Sequence, residues 1–252
     1  MLTFVTVLQS GHMKFAIIAA GEGSRLASEG VNVPKPLAEV GGEKLIDRLI
    51  RIFMDNEADE IVVICNDRTN LVSRHLLQIE EDGLKGRPVN LRFKVKSTPS
   101  SMHSFFELSH MLNDGPFVLT TVDTVFKEAE FSRYVAAFKA SVARGDDGLM
   151  GVTSFVDDES PLWVGTRGDM TITGFYDRND AHCPYISAGI YGLTSKSFPV
   201  LAHCVEAGES HMRNFQRALV RNGFAMRAWP FSKVFDIDHV SDIEKAETFL
   251  AR

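Results

Sequence analysis

Short unbroken apolar runs alternate with amphipathic stretches through the first half of the chain. Residues 15–20, 61–65 and 116–122 are continuous and apolar, as strands buried on both faces require, and residues 89–95 alternate enough to form another strand. Between them, residues 43–56 place Leu45, Ile46, Leu49, Ile50 and Phe53 on one stripe, the mark of an amphipathic helix. Residues 69–81, the stretch bearing Phe105, Phe106, Leu108, Met111 and Leu112, and residues 131–142 read as further helices. This βαβ alternation predicts an α/β fold with a mostly parallel sheet flanked by helices.

After residue 148 the period changes. Residues 149–156, 162–166, 170–176 and 186–193 are short strands separated by "DDES", "RGD" and "RNDAHCP", which predicts a small antiparallel β flank. Helices are expected at 197–207 and 211–222, a strand at 224–230, and a last helix capped by Ser241.

Composition narrows the class. At 252 residues with 44% apolar and 24% charged positions, the chain suits one sizeable globular core. A net charge of -6 argues against nucleic acid or an anionic membrane as partner and leaves room for a local basic pocket. Cys65, Cys183 and Cys204 are scattered without metal spacing, as reduced core thiols of a cytoplasmic protein would be. No stretch approaches the roughly 20 apolar residues of a membrane span. Residues 1–12 read as an expression remnant or disordered leader, which leaves 13–252 as one domain, monomeric or a small homo-oligomer.

The first apolar run opens into "GEGSRLASEGVNVPKPL", long for a connection in a compact domain and therefore a functional candidate. Gly21 and Gly23 let backbone amides face an anion, and Arg25 and Lys35 add fixed positive charge. Pro34 and Pro36 stiffen the chain around Lys35. A dinucleotide fingerprint would need glycine where Leu26 stands, and a Walker loop would need Gly-Lys followed by Ser or Thr. Together these residues describe a clamp for a polyphosphate, with an ordinary strand and glycine turn bearing surface cations as the alternative.

"AAGEGSRL" followed by "PKPL" resembles the signature of the sugar-nucleotide pyrophosphorylases, a nucleotidyltransferase family. The resemblance implies a GT-A-like, Rossmann-like domain that transfers a nucleoside monophosphate from an NTP to a phosphorylated small-molecule acceptor, releasing pyrophosphate. It assigns catalysis to Arg25 and Lys35, and nucleotide binding to Ala20, Gly21, Gly23 and Ser24. It places Ser100, Ser101 and Met102 of "SSMHS" in the loop that reads the base. Asp123 resembles the family's metal aspartate, and the ending "KVFDIDHV" offers Asp236, or in its place Asp238, as the second ligand of Mg²⁺. "GFYDRND" and "SAGIYGL" match acceptor-side segments, which brings in Arg178, Ser187 and Gly189; Arg213 is the candidate on the helix that follows.

A sugar 1-phosphate is the expected acceptor. The serine-containing "SSMHS" also resembles phosphocholine cytidylyltransferases, which keeps a phosphorylated amine open. A GT-A glycosyltransferase would share the sheet, but "VDTVF" lacks its Asp-x-Asp motif. A non-catalytic sensor of nucleotide sugars is the other alternative, and it predicts binding without pyrophosphate release.

Overall fold

Lys14–Ala19 (β1) lies at the heart of the sheet, and its alternation explains why helices cover both sides. Phe15, Ile17 and Ala19 point into one core, while Ala16, Ile18 and Ala20 point into the other. In the computed structural model, residues 12–113, 115–157 and 160–251 are described; the expected leader, His12 apart, lies outside them.

From β1 the chain runs through a short helix, Ser24–Ser28 (α1), and a 3₁₀ turn at Lys35–Leu37. A hairpin of Glu39–Val40 (β2) and Glu43–Lys44 (β3) precedes helix Leu45–Asp55 (α2). Then come Glu60–Cys65 (β4), Asn70–Asp82 (α3), Leu91–Val95 (β5) and Ser101–Ser109 (α4). Pro116–Thr121 (β6), Thr124–Val125 (β7) and Glu128–Ala143 (α5) complete the first half. The second half holds Gly148–Thr153 (β8), Trp163–Thr166 (β9), Ile172–Tyr176 (β10) and Tyr185–Thr194 (β11). It ends with Phe198–Glu206 (α6), Met212–Arg221 (α7), Met226–Phe231 (β12), Phe235–Asp236 (β13) and Val240–Leu250 (α8).

β5, β4, β1 and β6 run parallel in that order. β11 joins β6 antiparallel, and β8 and β9 join β11 in the same sense. The antiparallel flank therefore extends the main nine-stranded sheet. One core lies under α2, α3, α5 and α8, where Phe15, Phe53 and Phe131 meet at 4.8–6.2 Å between ring centroids. The other lies under α4, α6 and α7 around Phe105, Phe117 and Phe215. No helix is long and apolar enough to cross a membrane among the described residues.

The long segment after β1 is folded back on itself by α1 and the 3₁₀ turn. One local expectation changes. The last helix begins at Val240, so Ser241 lies inside it and does not cap it. The Asp242 carboxylate takes that role, accepting from the backbone N–H of His239 at 2.8 Å and of Asp238 at 3.2 Å.

Arg48 and Arg51 of α2 tie the sheet's helical cover together. Arg48, buried, donates to the Phe126 carbonyl and to Glu128, both at 2.8 Å; Arg51 bridges Glu128 and, through two bonds, Glu43. Hydrogen bonds from Arg51 hold the Glu43 carboxyl down to about 2, Lys85 helping against the upward push of burial. Such a lowered carboxyl stabilises the fold fully above its unfolded value near 4.5 and loses that contribution as pH falls toward 2. Urea titrations at pH 6 and pH 3 should show the midpoint falling for the native chain, and falling less for Glu43→Gln.

Candidate active site

The carboxyl ends of β1 and β6 open into a cavity of about 630 Å³, the position at which open parallel sheets bind ligands. Its floor is built around one buried cation. Lys35, only 10% exposed at its side chain, bridges two carboxylates: Asp123, and Asp238 Oδ1 at 2.7 Å. Burial works to lower its pKa, but Asp123 and Asp238 outweigh that and hold it above the ordinary lysine value. Arg25 Nη1 takes the other oxygen of Asp238 at 2.7 Å. Burial pushes the Asp238 carboxyl up, and Lys35 and then Arg25 bring it below the usual range.

Local backbone sets this geometry. Gly23 holds φ +63° immediately before α1, and a Cβ added there would lie 2.8 Å from the Cβ of Lys35. The glycine thus lets the start of the loop close against its end. Gly23→Ala should lose about 1–2 kcal/mol of stability through left-handed strain and crowding, read as a lower urea midpoint, and should displace Lys35 enough to lower any turnover.

Asp123 and Asp236 are 113 positions apart in the chain and meet through a two-residue ribbon. β13 pairs antiparallel with β7, placing Asp236 opposite Thr124, and the N–H of Ile237 donates to the Asp123 carbonyl at 3.0 Å. All three aspartates line the same cavity with Ala20, Gly21, Gly23, Ser24, Arg25 and Lys35. Across from them stand Ser100 and Ser101 at the start of α4, where the Ser100 hydroxyl caps the helix and sits 2.9 Å from His103 Nδ1.

A second cavity of about 330 Å³ adjoins the first, sharing Arg25, Asp236 and Asp238. Ser187 lines it, together with Phe155, Asp157 and Lys245.

Other expected site residues fall elsewhere. Met102 is fully buried in the core beneath α4, because the helix turns its apolar face to the sheet. Gly189, at φ +69°, lies where the β11–β8 register shifts between Ser187 and Tyr191, and so serves a bulge that bends the strand. Arg213 donates to Asp177 at 2.8 Å and to the Ser160 carbonyl at 3.0 Å, with Arg217 on the other oxygen of Asp177. Arg178 lines a separate open pocket beside Tyr176 and Arg217.

Several groups escape sequence reading. Asn66, just past β4, donates to the carbonyls of Gly21 at 3.0 Å and Ala20 at 3.3 Å and fixes the start of the clamp. A polar residue at the carboxyl end of a parallel strand was the available signal. Thr98 and Ser104, whose hydroxyls lie 2.6 Å apart, complete the serine wall. Glu29 accepts from the Val240 N–H at 2.7 Å and pairs with His239 at 2.5 Å, joining the clamp to α8. Nothing in the spacing of these two residues marks the pair.

Two glycines, two cations and three aspartates thus line one cavity at the carboxyl edge of the parallel strands of an α/β protein. The chain belongs to the MobA-like NTP transferase domain family, whose model matches residues 15–219. It is 28% identical over 155 residues to a mannose-1-phosphate guanyltransferase of Neurospora crassa, covering 60% of this chain and 40% of that protein. It is 29% identical over 112 residues to an N-acetylmuramate alpha-1-phosphate uridylyltransferase of Caulobacter vibrioides, covering 44% and 46%. The matched regions thus span less than half the length of these relatives. The inositol-1-phosphate CTP transferase of T. maritima shares the fold, with a TM-score of 0.74 at 20% identity over 96% of this chain and 98% of that one.

Proposed function

We propose that the protein is a nucleotidyltransferase that moves a nucleoside monophosphate from an NTP to a sugar 1-phosphate and releases pyrophosphate. The observation that carries this reading is Lys35, buried between Asp123 and Asp238 with Arg25 beside it, facing a glycine-cornered cavity. The names of the relatives, which specify sugar 1-phosphates, support the acceptor class.

An acceptor phosphate oxygen attacks the α-phosphorus. A new P–O bond forms, and the bond from the α-phosphorus to the oxygen bridging it to the β-phosphorus breaks, its electron pair leaving with pyrophosphate. The barrier is mostly the approach of two anions, so the protein contributes alignment and positive charge. Lys35 is suited to the α-phosphate and the acceptor phosphate together, and Arg25 to the departing pyrophosphate. Backbone amides of the Gly21–Gly23 corner would carry the β and γ groups. Ser100 and Ser101 would meet the base.

The donor chemistry suits a hard divalent cation. Asp123, Asp236 and Asp238 line one cavity and offer carboxylate oxygens as donors. That matches Mg²⁺, which takes one or two carboxylates and completes its shell with phosphate oxygens and water. Asp123 and Asp236 are the proposed ligands, since both oxygens of Asp238 are engaged by Lys35 and Arg25. When bound, the ion would supply charge neutralisation on the triphosphate. The three cysteines, buried and free, agree with a reducing cytoplasm.

Pyrophosphate release with Mg²⁺, across the four NTPs and a panel of sugar 1-phosphates and phosphorylated amino alcohols, tests the reading. Release that requires one NTP and one acceptor is the expected result. Nucleotide binding with no release anywhere in the panel would overturn it in favour of a sensor.

A further inference from the structure

The turn after β4 grips the start of the phosphate clamp from outside the cavity. Asn66, the first residue past the strand, donates through Nδ2 to the carbonyls of Gly21 at 3.0 Å and Ala20 at 3.3 Å. Its own oxygen is engaged as well, accepting from the N–H of Arg68 at 3.2 Å, and that bond sets which end of the amide faces the clamp. Arg68 in turn pairs with Glu22, and Asp67 accepts from the Ser97 hydroxyl, so the turn is held on both flanks.

Two carbonyls held in this way decide where the neighbouring donors point. In a trans peptide unit the C=O and N–H groups lie on opposite sides of the bond, and both units are trans here. The carbonyl of Ala20 shares its unit with the N–H of Gly21, and the carbonyl of Gly21 with the N–H of Glu22. Drawing both carbonyls toward Asn66 therefore turns both N–H groups away from it. Ala20, Gly21 and Glu22 line the larger cavity, and Asn66 does not. Neither N–H has a hydrogen-bonded partner among the described residues, as donors kept for a ligand would not. Gly21 itself gives the backbone no steric hold, since nothing lies within 4 Å of the place its Cβ would occupy. A peptide unit that flipped there would present a carbonyl oxygen to an anion in place of a donor.

We propose that Asn66 is a positioning residue that turns the N–H groups of Gly21 and Glu22 into the cavity, where they receive the β and γ groups of the triphosphate. The inference rests on the polyphosphate reading of the cavity above and adds to it a residue from outside the clamp.

Calorimetry with Mg²⁺ tests it, using pyrophosphate, and the NTP that binds tightest together with its NMP, on the wild type, Asn66→Leu, Asn66→Ala and Ser97→Ala. Asn66→Leu keeps much of the side chain's shape and removes its donor. It should weaken pyrophosphate and the NTP about tenfold, the worth of one hydrogen bond to a charged group, and leave the NMP, which has no β or γ group, within about twofold. Asn66→Ala should agree with it and stands in should the leucine fold poorly. Ser97→Ala loosens the same turn through Asp67 without touching the clamp, and should bind pyrophosphate within about twofold of the wild type.

A folded Asn66→Leu or Asn66→Ala protein with wild-type affinity for pyrophosphate would overturn the inference. So would an equal loss for the NMP, or a Ser97→Ala loss as large as that of Asn66→Leu, since either marks general loosening. These outcomes leave the nucleotidyltransferase reading intact wherever the wild type releases pyrophosphate. A wild type that binds neither pyrophosphate nor any NTP overturns that reading and the inference with it.

Discussion

Lys35→Ala should lower kcat for pyrophosphate release by about a thousandfold, the upper range for removing one preorganised charge from a site where charge develops. Three features set the size of the effect. The ammonium is nearly buried, so its field acts through protein more than water. Two carboxylates hold it in place, so little reorganisation is needed when phosphates arrive. Pro34 and Pro36 flank it and restrict the backbone that carries it. Lys35→Arg should recover only a small part of the loss, because a planar fork cannot take the place of a compact point charge among these oxygens. Removing the cation also leaves Asp123 and Asp238 facing each other without the charge between them, so the urea midpoint should fall as well. The two effects separate: turnover falls by orders of magnitude while the protein stays folded at assay temperature. Full turnover in a folded Lys35→Ala protein would remove the lysine from the proposed chemistry.

The parts of this site that could be read from sequence are those in which one short stretch contains its own reason. Phe15, Ile17 and Ala19 alternate with Ala16 and Ile18, which is enough to state a strand covered on both sides. Gly21, Gly23, Arg25 and Lys35 share one segment and one chemistry, and the fold brings them to one cavity. Asp123 stands two residues past the buried strand β6 and lines the cavity at that strand's carboxyl end.

Where the reason lies in tertiary pairing, the sequence was silent. β7 and β13 are two residues each, too short to show any period, yet their register is what sets Asp236 beside Asp123. Arg213 reads as an acceptor candidate on a helix face, but Asp177, brought alongside by β10, takes it together with Arg217. Met102 follows two site serines in the chain, and the turn of α4 sends it into the core. A polar residue next to Phe215 gives no sign in the sequence that Gln216 is buried. Each miss is a side chain whose partner comes from another element, a contact that local periodicity does not encode.

Asp123→Asn should reduce turnover at least about a hundredfold and raise the Mg²⁺ concentration needed for half-maximal rate. The substitution keeps the shape of the side chain and removes its charge, so its effect reports electrostatics more than packing. Asp123 lines the larger cavity: it contacts Lys35, and its backbone carbonyl anchors Ile237 and hence the β13 segment. Since the carbonyl is untouched in Asp123→Asn, the ribbon should persist and nucleotide should still bind. Comparison with the other two carboxylates then separates their roles. Asp236→Asn should likewise shift the Mg²⁺ requirement, because the ribbon holds it next to Asp123. Asp238→Asn should leave that requirement nearly unchanged and lower kcat instead, since Asp238 spends its oxygens on Lys35 and Arg25. If Asp238→Asn shifts the Mg²⁺ dependence and Asp236→Asn does not, the cation belongs to Asp238, and Lys35 must leave that carboxylate whenever the ion is bound.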